Sequence, residues 1–321
     1  RREKARAKIG ALRTHFKMSD LNANLTLFKS IILTSVSFGS RIIFQNVKSI
    51  QHSNTFMHTE LCKILQIPPY AEEAWVRWEC TILDWLSLTT SDKLKFAYKL
   101  HHSNNLSFYK NKILNTNSYF LQNLTKSTFN LQTLFSNNNF EKSKTSWHKL
   151  IKEAAKQNNL SNTKSDLLQP FHQVAIQNIL PISNELNNEY VSNLTQKNLL
   201  QFTLSIRANT LFQLHFNCPY CTKLLSPQIA TTHILFDCNI QSIINIVQQK
   251  LTTLTSTTLV QKWKDLNSNL KLLLLTGINN LPEENPLSNL NKSITIIEVL
   301  SLIKEILTPI ILLHQSSLQP Q

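Results

Sequence analysis

Glycine is nearly missing: three residues in 321, where average usage near ~7% gives roughly twenty. Tight hairpins are therefore scarce, and the chain must be mainly α-helical. Acidic residues are also few, 19 against 33 lysines and arginines, for a net charge of +14 and a pI near 9.6. That balance argues for a polyanionic partner, nucleic acid before membrane. Long apolar runs are lacking too. Residues 30–40 and 293–314 are too short, or are broken by Glu298, Lys304, Glu305 and Pro309, and fall below the ~20 residues of a spanning helix. The charged start has no apolar stretch after it, so no signal peptide is expected at this end. Five cysteines, an odd number, do not make a disulfide framework and point to a reducing compartment, nuclear or cytoplasmic. Cys62 and Cys80 read as small buried hydrophobes.

Three of those five cysteines fall within twenty-one residues. Cys218-Pro219-Tyr220-Cys221 is followed after eleven residues by His233 and after four more by Cys238. A Cys-x2-Cys pair puts two thiolates on one turn, and His233 with Cys238 can complete a tetrahedron from across a short fold. The expected ion is zinc, in a structural role, because four protein ligands leave no open position for a reacting water. On a continuous α-helix His233 and Cys238 would point about 140° apart, so Cys238 must sit past the helix end. Asp237 and Asn239 suit a turn there, and Ile234, Leu235 and Phe236 are the bulky apolar residues available to close the knuckle.

Other readings of these residues stand beside that one. His215 can replace His233 as fourth ligand without changing the role. The three cysteines can be ordinary buried thiols and His233 a core histidine. Cys-Pro-Tyr-Cys is also the active-site tetrapeptide of glutaredoxin-type thiol oxidoreductases, with the first thiolate activated at a helix N-terminus. That fold expects a glycine pair after the motif, and none occurs between Cys221 and Gly277.

Helical spacing organises much of the rest. Ala5, Ile9, Leu12 and Phe16 line one face of a basic amphipathic helix whose other surface carries Arg2, Arg6, Arg13 and Lys17. A second helix, capped by Asp20 or Asn22, carries Leu25, Phe28, Ile31 and Ile32 towards Gly39. A third, with Phe56, Leu61, Ile64 and Leu65, stops at Pro68-Pro69. Trp75, Trp78 and Trp85 share a helical period and read as packing. The next helix is expected to be capped by Ser91 or Asp92 and to end at His101-His102. Residues 103–169 read as an Asn/Ser/Lys-rich connector with short helices over 118–124 and 145–157, and residues 170–190 as irregular. After Cys238, helices are expected over 241–253, 258–275 and 293–313, the last burying Ile297, Leu300, Ile303, Leu307 and Ile311.

Two blocks resemble a known family. The segment from Phe202 to Cys238, notably Ser205-Ile206-Arg207-Ala208-Asn209-Thr210 and Thr232-His233-Ile234-Leu235-Phe236-Asp237-Cys238, is similar to the C-terminal zinc-knuckle region of non-LTR, LINE-type retrotransposon reverse transcriptases. Upstream, residues 28–40 with the pair Phe38-Gly39, then Ile64-Leu65-Gln66-Ile67-Pro68-Pro69, Arg77-Trp78-Glu79 and Leu83-Asp84-Trp85-Leu86, resemble the region after the palm in that family. The palm itself is missing. Asp20, Asp84, Asp92, Asp166, Asp237 and Asp265 never occur as the pair that two-metal polymerisation needs, and no compact acidic set of a nuclease comes after Cys238. With Arg1-Arg2 at its start, the chain reads as a C-terminal fragment.

The resemblance implies a thumb-like helical bundle over 1–102, the connector, a zinc-knuckle region over 170–240 and C-terminal helices over 241–321. It implies a chain that holds RNA or DNA while upstream polymerase domains of the parent polyprotein do the chemistry, and that is inactive alone. Candidate contacts are Arg2, Arg6, Arg13 and Lys17 on the first helix, then Arg207, Tyr220 and Lys223, with Phe216, Tyr220 and Phe236 able to stack on unpaired bases. A helical protein-interaction scaffold with no nucleic-acid role is the alternative.

Overall fold

The computed structural model describes residue 7 and residues 21–37, 47–103, 143–182, 197–238, 264–277, 281 and 296–316. The expected basic helix with Arg2, Arg6, Arg13 and Lys17 lies outside them. So do Asp20, Phe38-Gly39, most of the connector, the helix expected over 118–124, the helix over 241–253 and the start of the one over 258–275. The described part is mainly helical, with one two-stranded ribbon. None of its helices is long and apolar enough to cross a membrane.

Helix α1, Leu21–Leu27, runs through a π-helical stretch, Phe28–Leu33, into α2, Thr34–Ser37. Asn22 lies inside α1 and is not its cap. The Thr34 and Ser35 hydroxyls donate back to the carbonyls of Ser30 and Ile31, a bonding pattern that loosens a helix locally. Helix α3, Val47–Leu65, ends before Pro68-Pro69 as expected. Gln66 adopts φ 55° there, and the Ile67 N–H reaches back to the Cys62 carbonyl at 3.0 Å, a left-handed finish that uses otherwise orphaned carbonyls.

The tryptophan period does not mark one helix. Trp75 and Trp78 lie on α4, Glu73–Glu79, and Trp85 opens α5, Trp85–His101. Between them Thr81 takes φ 48°, which ends any continuous helix. All three indoles are buried. The cap of α5 is Asp84, whose carboxylate accepts from the Ser87 N–H at 2.9 Å. Ser91 and Asp92 lie about two turns inside, where the Ser91 hydroxyl back-bonds to the Ser87 carbonyl. The end at His101-His102 stands.

Two compact units divide the chain: Arg1–Phe16, Thr26–His58 and Ile82–Asp166 form one, and Lys17–Leu25, Thr59–Thr81 and Leu167–Gln321 the other. The first unit rests on α5 packed against α6, Lys144–Asp166. Trp147, Ile151 and Ala155 recur every four residues on the buried side of α6, and Leu94, Ala97 and Tyr98 are buried on α5, with the Tyr98 and Trp147 rings stacked at 5.7 Å. The helix outruns the expected 145–157 because its polar continuation is tied down. Asn158 donates to the Ser87 hydroxyl at 3.1 Å, Asn159 accepts the Asp84 N–H at 3.0 Å, and Thr163 is fully buried.

In the second unit, the segment expected to be irregular opens with a helix, α7, Pro170–Asn178. Proline at its first position has φ preset for helix and no N–H to leave unmatched. Helix α8, Lys197–Arg207, precedes the ribbon of β1, Phe216–Asn217, and β2, Leu224–Leu225. Then come α9, Pro227–Thr232, a π-helical segment, His233–Asp237, α10, Ser268–Thr276, and α11, Ile296–Ser316. Helix α10 is the hub. Leu272, Leu273, Leu274 and Leu275 are all buried, because α7, α8, α9, the π segment and α11 all pack against it. On α11 the buried positions are Leu300, Ile303, Leu307, Ile310 and His314. Ile310 takes the place expected for Ile311, and the burial of Ile297 lies outside the described residues.

Candidate metal centre

The four predicted ligands converge. The donor atoms of Cys218, Cys221, His233 and Cys238 all lie within 4.8 Å of one another. The Cys218 and Cys238 sulfurs are 3.5 Å apart, and Cys221 Sγ is 3.2 Å from His233 Nε2. Around a tetrahedral ion bound at ordinary metal–sulfur and metal–nitrogen lengths, the sulfur–sulfur edge is about 3.8 Å and the sulfur–nitrogen edge about 3.5 Å. The group is thus sized to hold one metal ion. His215 is exposed and lies outside it.

Each pair of ligands is placed by its local backbone. The ribbon pairs Phe216 with Leu225 and Asn217 with Leu224, leaving residues 218–223 as the connecting turn. Within it the Cys218 N–H donates to the Lys223 carbonyl at 2.8 Å, and the Thr222 N–H to the Cys218 carbonyl at 2.9 Å. Thr222 takes φ 60°, a left-handed conformation that lets the chain reverse within the Cys-x2-Cys loop.

The other pair solves the angular problem posed by five-residue spacing. Helix α9 widens into the π-helical segment, and the Cys238 N–H bonds to the His233 carbonyl at 2.7 Å. That i→i+5 bond stacks Cys238 one wide turn above His233, where α geometry would have turned it away. Cys238 itself is extended, φ −85° and ψ 143°, past the helix end as expected. Ile234 and Leu235 are fully buried, Phe236 half-buried. The Ser268 hydroxyl at the head of α10 donates to the Asp237 carboxylate at 2.5 Å.

The electrostatics differ from one member of the group to the next. Burial pushes the Cys238 thiol up to about 12, and the neighbouring sulfurs of Cys218 and Cys221 push the same way. A coordinated divalent ion reverses that balance, because it deprotonates a ligating thiol outright. A backbone N–H of Lys223 lowers the Cys221 thiol, which is exposed. Burial first, then the Lys223 charge, lowers the His233 imidazole, outweighing Asp237, and neutral imidazole is the ligating form.

A redox role finds no support in this arrangement. Cys218, the thiol that would attack, is 1% exposed and opens a turn between strands, where no helix N-terminus activates it.

The remaining predicted contacts separate. Tyr220, 55% exposed, and Lys223 project from the Cys-x2-Cys turn. Phe216 is half-buried and stacks on Phe212 at 4.8 Å, so it belongs to the core side. Arg207 is a correction. It is buried, with Nε and Nη2 donating to Glu79 Oε1 at 3.1 and 2.5 Å and Nη1 to the Thr276 carbonyl at 3.0 Å. A guanidinium so placed holds the core together and does not meet a phosphate.

Sequence reasoning also missed the polar interior that surrounds this pair. His172 lies fully buried, stacked on Trp75 at 5.0 Å, with Nδ1 against the Glu72 carboxylate at 2.5 Å and Nε2 against the Arg207 carbonyl at 3.0 Å. Beside the knuckle, His314 Nε2 accepts the N–H groups of Gln213 and Leu214 at 3.2 and 3.4 Å, which ties α11 to the segment just before β1.

Comparison of the chain with protein-family models, curated proteins and solved structures returns no match.

Proposed function

We propose that this chain is the nucleic-acid-binding C-terminal portion of a LINE-type reverse transcriptase, in which a zinc-stabilised lobe holds template, primer or target while palm domains elsewhere in the polyprotein polymerise. One observation carries the reading: four ligands from two separate backbone devices, a left-handed turn and a π-helical turn, meet at donor spacings that fit a tetrahedral ion. Three sulfurs and one imidazole select zinc over oxygen-seeking cations. Complete protein ligation makes the ion structural and leaves it no part in hydrolysis.

The +14 charge supplies the attraction to a polyanion. Tyr220 offers an exposed ring for base stacking and Lys223 a cation for the adjoining phosphate. Neither group is needed to hold the metal, so their contribution is separable from folding. Zinc-thiolate ligation suits a reducing compartment, the nucleus or the cytoplasm.

Elemental analysis of the purified chain should return one zinc per molecule, and chelation or Cys238→Ser should unfold the lobe. Binding to an oligonucleotide should weaken steeply with salt, since each phosphate neutralised contributes about 0.9 to the log–log slope on a duplex. Tyr220→Ala should weaken single-strand binding by about 1–3 kcal/mol at unchanged zinc content. A metal-free, well-ordered chain overturns the zinc site. Salt-independent association with protein partners alone would instead mark a scaffold.

A further inference from the structure

Helix α6 carries a cationic row that none of the motifs includes. Lys144, Lys149, Lys152, Lys156 and Lys164 are all exposed on it, against the acids Glu153 and Asp166. The helix it packs on, α5, adds Lys93, Lys95 and Lys99 against Asp92. Eight lysines thus face three acids on one helix pair. Lys149, Lys152 and Lys156 are spaced three and four residues apart, within about 60° of one another on the helical wheel, and their arc is centred about 130° from that of Trp147, Ile151 and Ala155, with Lys152 at its inner edge about 60° from Ala155.

The charges on this row are weakly countered. Lys149 comes no nearer than 4.0 Å to Glu153, with both side chains more than half exposed, and no ion pair among the described residues joins Lys152 or Lys156 to an acid. Other lysines of the pair act on a neighbouring ring. After burial, Lys95 of α5 and Lys144 of α6 are what lower the half-buried His148, so cations from both helices act on one ring. A positive surface of this kind concentrates a polyanion.

We propose that Lys149, Lys152 and Lys156 form a phosphate-binding stripe along which one strand of a nucleic acid lies, a second contact surface separate from the metal lobe. Neighbouring positions on such a row have β-carbons about 5–6 Å apart, and each ammonium is a point charge on a flexible stem. The three can therefore meet different phosphates of one strand without reading bases, fixing position and not sequence. A membrane surface fits less well. An interfacial helix needs an apolar face to enter the headgroup region, and that face of α6 is buried against α5.

The inference rests on the nucleic-acid function proposed for the chain, and its test separates the two. Wild-type chain and the triple variant K149Q/K152Q/K156Q are titrated against about 20-mer duplex and single-stranded oligonucleotides across roughly 50–300 mM potassium chloride, with fluorescence anisotropy as the readout. Glutamine keeps the helix propensity of lysine. The triple variant should flatten the slope by about 2.7 on duplex or about 2.1 on single strands, and bind on the order of 100-fold more weakly near 150 mM salt. Circular dichroism and metal content should not change. If the triple variant loses its fold, the single variants Lys152→Gln and Lys156→Gln should each remove about 0.9 from the duplex slope. A steep wild-type slope that the variants retain overturns the stripe and leaves the parent reading standing. A wild-type chain that binds neither oligonucleotide overturns both, and capture by phosphatidylserine vesicles in place of oligonucleotides gives the surface to a membrane instead.

Discussion

Replacing Arg207 by methionine, with Glu79 left in place, should destabilise the second unit by about 3–5 kcal/mol. Glu79 is 0% exposed, and its Oε1 takes two donors from Arg207 and the Ile182 N–H at 3.2 Å, while Oε2 is buried with no hydrogen-bond partner. Burial is the strongest influence on this carboxyl and raises it, with Arg207 the largest opposing one. Without the guanidinium one backbone donor remains, so the group must stay charged at a desolvation cost or take up a proton. The Thr276 carbonyl loses its Nη1 donor as well. The double variant Glu79→Leu/Arg207→Met removes both charges and should recover most of the loss, because apolar replacement of a buried pair is often close to neutral. For a urea m-value of about 2 kcal/mol/M, a cost near 4 kcal/mol moves the midpoint by roughly 2 M. Far-UV circular dichroism tracks the transition, and exchange of the Ile182 amide reports the site directly. A single-variant cost below about 1 kcal/mol, or a double variant as unstable as the singles summed, refutes the reasoning. So does a changed salt slope for oligonucleotide binding, since that would put Arg207 on a phosphate after all.

Acid should loosen the attachment of α11. Burial lowers the His314 imidazole below its ordinary 6.5, and its Nε2 accepts two backbone N–H groups. The contribution is therefore complete above about pH 6.5 and is lost as pH falls through the folded-state value. His314→Gln, which still offers an acceptor and does not titrate, should remove this pH dependence, so the wild-type-minus-variant stability difference shrinks as pH falls through that window, as measured by denaturant midpoints. Gly277→Ala should cost about 1–3 kcal/mol. Its Cβ would stand 2.7 Å from Ile179 Cδ1 and from the Leu273 carbonyl oxygen, and the carbonyl, as helix backbone, cannot swing aside. A thermal melt at unchanged metal content checks it.

The candidate metal-binding group was legible because coordination demands particular atoms at short range, and Cys218, Cys221, His233 and Cys238, which the fold brings together, stand out by residue type and spacing. The ends of α3 at Pro68-Pro69 and of α5 at His101 were legible for a similar reason, since both are local. What failed depended on distant partners. Arg207 has the ambiguous look of any surface arginine until Glu79, 128 residues earlier, is brought against it. The extension of α6 depends on Asn158 and Asn159 meeting Ser87 and Asp84, which no helical period announces. Trp75, Trp78 and Trp85 keep a helical interval across a break, because spacing is blind to the left-handed φ of Thr81. The π-helical turn that brings Cys238 over His233 was the missing half of a correct deduction: the angular mismatch was visible, the device that resolves it was not. Two local signals were overlooked, Pro170 as a proline at a helix start and Asp84 as the cap of α5.

The bond from Ser268 to Asp237 joins the residue beside the last metal ligand to the first turn of the leucine helix on which five other elements lean. An ion held by the four side chains should therefore steady the start of that interior helix, and its release should loosen it. Amide exchange in residues 268–276 should accelerate when the ion is withdrawn, so the loading state of a surface knuckle can be read from backbone protons deep inside the unit.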